Sequence, residues 1–225
     1  AGSSGAADND YYEFTPRIVV ANDAGTVSID APTSPLTPGS QAVNATIINQ
    51  GTSTLNSATV NWSVNGMVQT PFSYAGSLAN GATASVTLGN YNFTGISNIE
   101  VWTSMPNGVA DGNPSNDTIR ATVYPGLSGT YTIDSTAATG GTNFNSFADF
   151  ENAINQGGLL GPITVNVAAG TYNESLLLEN ILGSSSTNTI TIDGGDSSST
   201  ILNSSAGFYG IAIVNTDYVT IQNLG

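Results

Sequence analysis

From Ile163 to Gly225 the chain is a succession of short apolar runs. They are Ile163-Thr-Val-Asn-Val167, Leu176-Leu-Leu178, Ile190-Thr-Ile192, Ile201-Leu202, Ile211-Ala-Ile-Val214 and Val219-Thr-Ile221, separated by small or turn-forming residues. Each run is short enough for one strand and rich in β-branched residues, whose stiff side chains suit a pleated surface. None can close a core alone, so successive runs must stack. Ile190 and Ile211 are 21 residues apart, and Ile201 and Val219 are 18 apart. Such intervals predict a coil of about 20 residues made of short parallel strands. Antiparallel hairpins are the alternative, but the intervening segments lack consistent two-residue turns. The last run, Tyr218 to Gly225, has nothing after it to cover its apolar side, so the chain is expected to stop partway through the stack.

Ahead of these runs lies the one clear helical pattern. Phe147, Phe150 and Ile154 fall at i, i+3 and i+7 and form one apolar stripe. Asn145 or Ser146 is a suitable N-cap, Asp149 and Glu151 favour the positive end of the helix dipole, and Gly157-Gly158 ends the segment. A lone helix with one apolar face, directly before stacked strands, reads as a lid over their open end, where unpaired edges invite aggregation. Gly129 to Ile133 is expected as a strand, with Pro125 to Gly129 as a linker.

Residues 22–125 follow another rhythm, strand and turn at the ~8–12-residue spacing of an all-β sandwich. Val27-Ser-Ile29, Ala42 to Ile48, Ala84 to Leu88, Ile99 to Trp102 and Thr118 to Val123 read as strands. Ala58, Val60, Trp62 and Val64 alternate with Thr59, Asn61 and Ser63, which marks a strand with one buried side. Asn65-Gly66 directly after it suits a type I′ hairpin, which needs positive φ at both positions. Trp62 and Trp102 are expected to meet in the core as its largest fillers. Gly5-Ala-Ala-Asp-Asn-Asp10 echoes Gly108-Val-Ala-Asp-Gly-Asn113, so residues 1–21 read as a tail or the last strand of a preceding module.

Two resemblances join these patterns. Ile47-Ile-Asn-Gln-Gly-Thr52, Val60-Asn-Trp-Ser-Val-Asn-Gly66, Gly76-Ser-Leu-Ala-Asn-Gly81 and Pro106 to Asp111 with Asn116-Asp-Thr118 resemble the immunoglobulin-like cell-adhesion-related domain of bacteria (CARDB). That domain is common in large surface and secreted proteins of Bacteroidetes, and the resemblance implies a spacer or adhesive module. Thr142 to Phe150, Gly161 to Val167, Gly170-Thr-Tyr-Asn-Glu174 and Asn188 to Ile192 are similar to the capped start of a right-handed parallel β-helix of the pectate-lyase kind. The resulting fold class is all-β. Domain expectations are a tail at 1–21, a CARDB-like sandwich at 22–125, a linker at 126–128, and cap and first coils at 129–225.

Composition narrows the function. Sixteen acidic residues face two basic ones, Arg17 and Arg120, with no Lys or His, for a net charge of −14. Phosphate-backbone binding needs Lys or Arg to displace counterions, so nucleic acid is not an expected partner. Anionic lipid is disfavoured for the same reason, and no run approaches the ~18 apolar residues of a membrane span. The absence of Cys excludes disulfide stapling and thiol chemistry. Ala1-Gly-Ser-Ser-Gly5 lacks the basic and apolar regions of a secretory leader, so any signal was removed or lies upstream.

Enzymes similar to the β-helix segment cleave acidic polysaccharides with a basic proton abstractor and bound calcium, or with grouped Asp residues. After Arg120 this chain has no Arg, Lys or His, so the lyase base is missing. Asp134, Asp149, Glu151, Glu174, Glu179, Asp193, Asp196 and Asp217 show no acid/base pairing, and Asp193-Gly-Gly-Asp196 reads as a turn. No catalytic residue is assigned. Asp111, Asn113, Asn116 and Asp117 offer four hard oxygen donors in seven residues, suited to calcium, though a loop held by Asx turns explains the same residues. Asp117-Thr-Ile119 and Asp134-Ser-Thr136 look like Bacteroidetes O-glycosylation sequons, which would place sugars on Thr118 and Ser135.

The expected role is a non-enzymatic spacer and adhesive module of a large extracellular or outer-membrane-associated protein. Its expected partners are surface glycans, other cell-surface or type 9 secretion components, and further domains of the same chain. One alternative is the accessory part of a polysaccharide-degrading enzyme with catalytic coils beyond residue 225. Another is a carbohydrate-binding module, which requires exposed aromatics such as Tyr11, Tyr12, Tyr91 and Tyr209 in a flat row.

Overall fold

The structure is a computed structural model describing residues 20–204 and 209–225, so the expected echo in residues 5–10 and the aromatics Tyr11 and Tyr12 lie outside the described residues. Strands dominate. In chain order they begin with β1 (Ala24–Ala31), β2 (Gly39–Asn49), β3 (Leu55–Val64), β4 (Met67–Val68), β5 (Phe72–Leu78), β6 (Thr83–Phe93), β7 (Ser97–Ser104) and β8 (Thr118–Val123). All pairs among these are antiparallel. One sheet has the order β1-β2-β6; the other runs β4-β3-β7-β8, with β5 also on β3.

Alternation fixes which face of each sheet is buried. Val43, Ala45 and Ile47 of β2, Ala58, Val60, Trp62 and Val64 of β3, and Ile99 and Val101 of β7 enter one shared core. Burying each of the Val and Ile side chains stabilises by roughly 1.5–3 kcal/mol. Asn65 and Gly66 have φ of 51° and 78°, as the expected hairpin turn requires, and Met67–Val68 begins the return strand. The expected meeting of the two tryptophans does not occur. Trp62 is buried and stands opposite Val101, whereas Trp102 pairs with Asn61 and Thr118 and is only half-buried. Successive residues of a strand point to opposite faces, so once Ile99 and Val101 turn inward Trp102 must turn outward.

The expected linker at 126–128 is also corrected. Leu36 N–H donates to the Tyr124 carbonyl at 2.9 Å, and the Leu36 carbonyl accepts from Gly126 N–H at 3.1 Å. β9 (Leu127–Ile133) then starts at once, with Leu127 buried and paired with Leu159. A Cβ at Gly126 would lie 2.7 Å from both Leu160 Cγ and Pro35 Cβ, so this crossing point has room only for glycine.

The remaining elements are β10 (Asn143–Phe144), α1 (Phe147–Gly157), β11 (Leu159–Val167), β12 (Gly170–Tyr172), β13 (Leu176–Glu179), β14 (Ile190–Asp193), β15 (Thr200–Leu202), β16 (Ile211–Val214) and β17 (Val219–Gln222). Every pairing among these strands is parallel. Three ladders result: β10-β9-β11-β14-β17, β12-β15 and β13-β16. The repeat differs from the expected 20 residues. Ile163, Ile190 and Val219 stack at intervals of 27 and 29 residues, because each circuit visits three strands before returning to its ladder. Ile190 and Ile211, read as equivalent from their spacing, lie in different ladders.

α1 is capped by Ser146, whose Oγ accepts from Asp149 N–H at 3.0 Å. Phe147, Phe150 and Ile154 are fully buried in the second core beside Ile163, Leu176 and Ile190. The helix packs on β9, β10 and β13. Its polar side chains do further work on β13. Glu151 Oε2 accepts from Leu177 N–H at 2.8 Å, Asn155 Nδ2 donates to the Leu177 carbonyl at 3.0 Å, and Asn155 Oδ1 accepts from Glu179 N–H at 3.3 Å. Residues four apart on one helix face thus satisfy the backbone edge that β13 turns away from β16.

Candidate functional site

The loop between β7 and β8 brings most of the expected oxygen donors to the start of β1. Asp111 is anchored there by two backbone amides, Oδ2 accepting from Ala24 N–H at 2.9 Å and Oδ1 from Asn113 N–H at 2.8 Å. Asn116 Nδ2 donates to Asp23 Oδ1 at 2.9 Å. The Asp117 carbonyl accepts from Thr26 Oγ1 at 2.7 Å and Thr103 N–H at 3.2 Å, which fixes the backbone beneath its side chain. Asn113 departs from the expected set, because its Oδ1 accepts from Ser115 Oγ at 2.7 Å within the loop. The Asp111 contact with Asn113 N–H is a turn of the Asx type, and Asn113 is held by the Ser115 hydroxyl, so both residues also support the loop itself.

Asp23 was not visible as a member from sequence. It lies 88 positions before Asp111, and only the packing of β1 against β7 and β8 brings the two together. Asp23 is 4% exposed and Asp117 8% exposed. Burial first, then the charges of Asp111 and Asp23, push the Asp117 carboxyl up to about 6. Two buried oxygens here, Asn116 Oδ1 and Asp117 Oδ1, have no hydrogen-bond partner. Among the described residues, no group of three or more carboxylates closes on a single point.

Asp193 and Asp196 are occupied as turn and strand supports. Asp193 Oδ1 accepts from Gly195 N–H at 2.8 Å and Asn223 Nδ2 at 2.9 Å, and its Oδ2 from Gln222 Nε2 at 2.7 Å. Asp196 Oδ1 accepts from Ser198 N–H at 2.9 Å and Ser198 Oγ at 2.8 Å. These hydrogen bonds hold both carboxyls below the usual range, whereas a general acid needs its proton retained toward neutral pH. Arg120 pairs with Glu100 across β8 and β7. Thr118 and Ser135 are both exposed. Tyr91 packs edge-on against Phe93 at the sandwich core, with ring centroids 5.0 Å apart, while Tyr209, 43% exposed, precedes β16. The described aromatics therefore do not share one sheet face.

An apolar groove of about 700 Å³ lies where the chain crosses between cores, lined by Pro38, Ile96, Tyr124, Leu127, Tyr131 and Phe144 among others. No described helix is long and apolar enough to cross a membrane.

Comparison with known proteins gives a likeness over about half of the chain. No protein-family profile matches it, and no curated protein does. Among solved structures, the chain is similar to a domain named for a cell surface protein of Methanosarcina acetivorans, at 26% identity and a TM-score of 0.39, covering 47% of this chain and 93% of that one. It is similar to the CARDB domain of a Pyrococcus furiosus protein at 18% identity and a TM-score of 0.38, covering 48% and 97%. A crystal structure of that CARDB domain in complex with di-metal ions aligns at 16% identity and a TM-score of 0.35, covering 49% and 94%.

Proposed function

We propose that this chain is a non-enzymatic part of a large secreted or cell-surface bacterial protein, serving as a spacer and adhesive module. In this reading residues 22–125 form a CARDB-like, immunoglobulin-like sandwich, and residues 129–225 form the cap and first coils of a right-handed parallel β-helix. One observation carries the reading: within one parallel ladder Ile163 lies on Ile190 and Ile190 on Val219, while β12-β15 and β13-β16 form two further parallel ladders from the same circuits. Such a stack lengthens by repetition without enlarging its core, which suits a structure that projects or spaces. The capped edge of β13 supports it further, because a stack exposed outside the cell must block its free edges.

Surface glycans are the proposed partners, and the acidic surface restricts them to neutral or cationic chemistry. Thr118 and Ser135 are the proposed O-glycosylation positions, both exposed and each following an Asp. The test pairs two measurements on the same preparation. A glycan array should show retention on neutral or amino sugars, and incubation with polygalacturonate should yield neither unsaturated products nor new reducing ends. Turnover of polygalacturonate would replace this reading with the degrading-enzyme one. Intact mass of protein from its native host should show added hexose units that Thr118→Ala and Ser135→Ala remove.

A further inference from the structure

We propose that Asp23, Asp111, Asn116 and Asp117 form a site for one hard divalent cation of the calcium class, tying the 111–117 loop to the start of β1. Two oxygen atoms here are left unpaired by the protein. Asp117 is 92% buried by its 8% exposure, yet its Oδ1 meets no donor. Asn116 Oδ1, on the preceding residue, is buried with none either. A buried acceptor without a partner is costly, so two on consecutive residues call for a ligand.

Charge points the same way. The carboxylates of Asp23 and Asp111 lie close enough to Asp117 for their negative charge to act on it. Among the described residues the only cationic side chain is Arg120, and it is engaged by Glu100. A small cation supplies what no described side chain does. All the donors are oxygens, the chemistry of calcium and magnesium and not of softer metals. Calcium fits better, because it tolerates irregular geometry and mixed carboxylate, amide and water ligands, whereas magnesium demands a near-ideal octahedron.

The ligand roles follow from the contacts. Asp117 Oδ1 and Asn116 Oδ1 are free to coordinate directly. Asp23 and Asp111 already accept N–H groups, but a carboxylate oxygen has a second lone pair for an ion or its water. Since three carboxylates do not close on one point, the amide of Asn116 and water complete the shell. Asn113 is not a ligand, being turned into the loop by Ser115. The site stands whether or not the chain spaces or adheres.

The test is a titration of chelator-treated protein with calcium, followed by calorimetry and by melting temperature. One saturable site is expected at about 10⁻⁴–10⁻³ M, as for other extracellular modules, with Tm rising several degrees. Asp117→Asn and Asn116→Ala should each weaken uptake at least tenfold, and Asn113→Ala should leave it within twofold. Terbium offers a second readout, since Trp102 pairs with Thr118 next to the site and should sensitise its emission until calcium displaces it. No heat and no shift up to 10 mM calcium, about ten times the expected range, would overturn the proposal. So would a shift that sodium chloride of equal ionic strength reproduces, or one that Asp117→Asn and Asn116→Ala retain in full.

Discussion

The indole of Trp62 lies directly over Gly89, where a Cβ would stand 3.1 Å from Trp62 Cζ2. Gly89 sits at the point where the register of β2 with β6 slips, between Val43 and Asn44. On one side of the slip Val86 and Leu88 face the core; on the other Phe93 does, so the inward set changes parity at the glycine. The indole cannot move aside freely, because Nε1–H donates to the Thr70 carbonyl at 3.0 Å. Gly89→Ala is therefore expected to destabilise by about 1–3 kcal/mol, and Gly89→Val by more, through overpacking. Urea unfolding should show a lower midpoint with an unchanged slope. In a strand alanine ordinarily gains over glycine, so an unchanged or raised midpoint would show that the ring yields.

Glu151 and Asn155 act on β13 as a neighbouring strand would. Between them they engage Leu177 N–H, the Leu177 carbonyl and Glu179 N–H. Replacing both by Ala leaves the apolar stripe of α1 intact and frees three backbone groups on one strand edge. A free edge recruits another chain. Light scattering behind size exclusion is expected to show the double variant self-associating with concentration while the parent does not. Glu151→Gln with Asn155 intact should stay like the parent, because the glutamine carbonyl still accepts from Leu177.

Asp193 ties one parallel strand to the next. Its carboxylate takes Gln222 and Asn223 from the β17 end and Gly195 from its own turn, and Asn223, Gly195 and Gln222, in that order, hold its pKa below the ordinary value. A lowered folded-state pKa means stability that is fully present above the unfolded-state pKa and lost as pH falls through the folded one. Hydrogen exchange of Val219 to Gln222 should therefore stay slow at neutral pH and quicken relative to β11 only in strong acid. In Asp193→Ala the same amides should exchange faster at every pH, with the acid step gone.

How far the sequence could be read depended on the range of each signal. Local signals succeeded: the Ser146 cap, the stripe of Phe147, Phe150 and Ile154, and the Asn65-Gly66 turn are decided within a few residues. The parallel sense of the later strands also followed from missing hairpin turns. The repeat length did not, because Ile190 and Ile211 share an apolar pattern while local spacing does not tell which runs lie in one ladder. Counting two strands per circuit instead of three shortens the 29 residues from Ile190 to Val219 to the 21 from Ile190 to Ile211. Asp23 was invisible for a related reason, since its link to Asp111 exists only through sheet packing. Leu127 resembled a linker residue because Pro125 and Gly126 precede it, yet register with Leu159 makes it strand.

Trp102 gives the sharpest test of strand parity. Ile99 and Val101 are buried and Glu100 pairs with Arg120 on the outer face, so Trp102 shares the side of Glu100. Trp62, 3% exposed and hydrogen-bonded through its indole, shares the side of Val101. The two single-tryptophan variants should then differ in emission. Trp102→Phe, which leaves Trp62, should emit at shorter wavelength and resist acrylamide. Trp62→Phe, which leaves Trp102, should emit further to the red and be quenched readily. Stability should divide the same way: Trp102→Phe stays within about 0.5 kcal/mol of the parent as a surface change, and Trp62→Phe loses about 1–3 kcal/mol with its hydrogen bond and packing. Equal quenching of both variants would mean that β7 is paired one residue out of this register, which would turn Val101 to solvent as well.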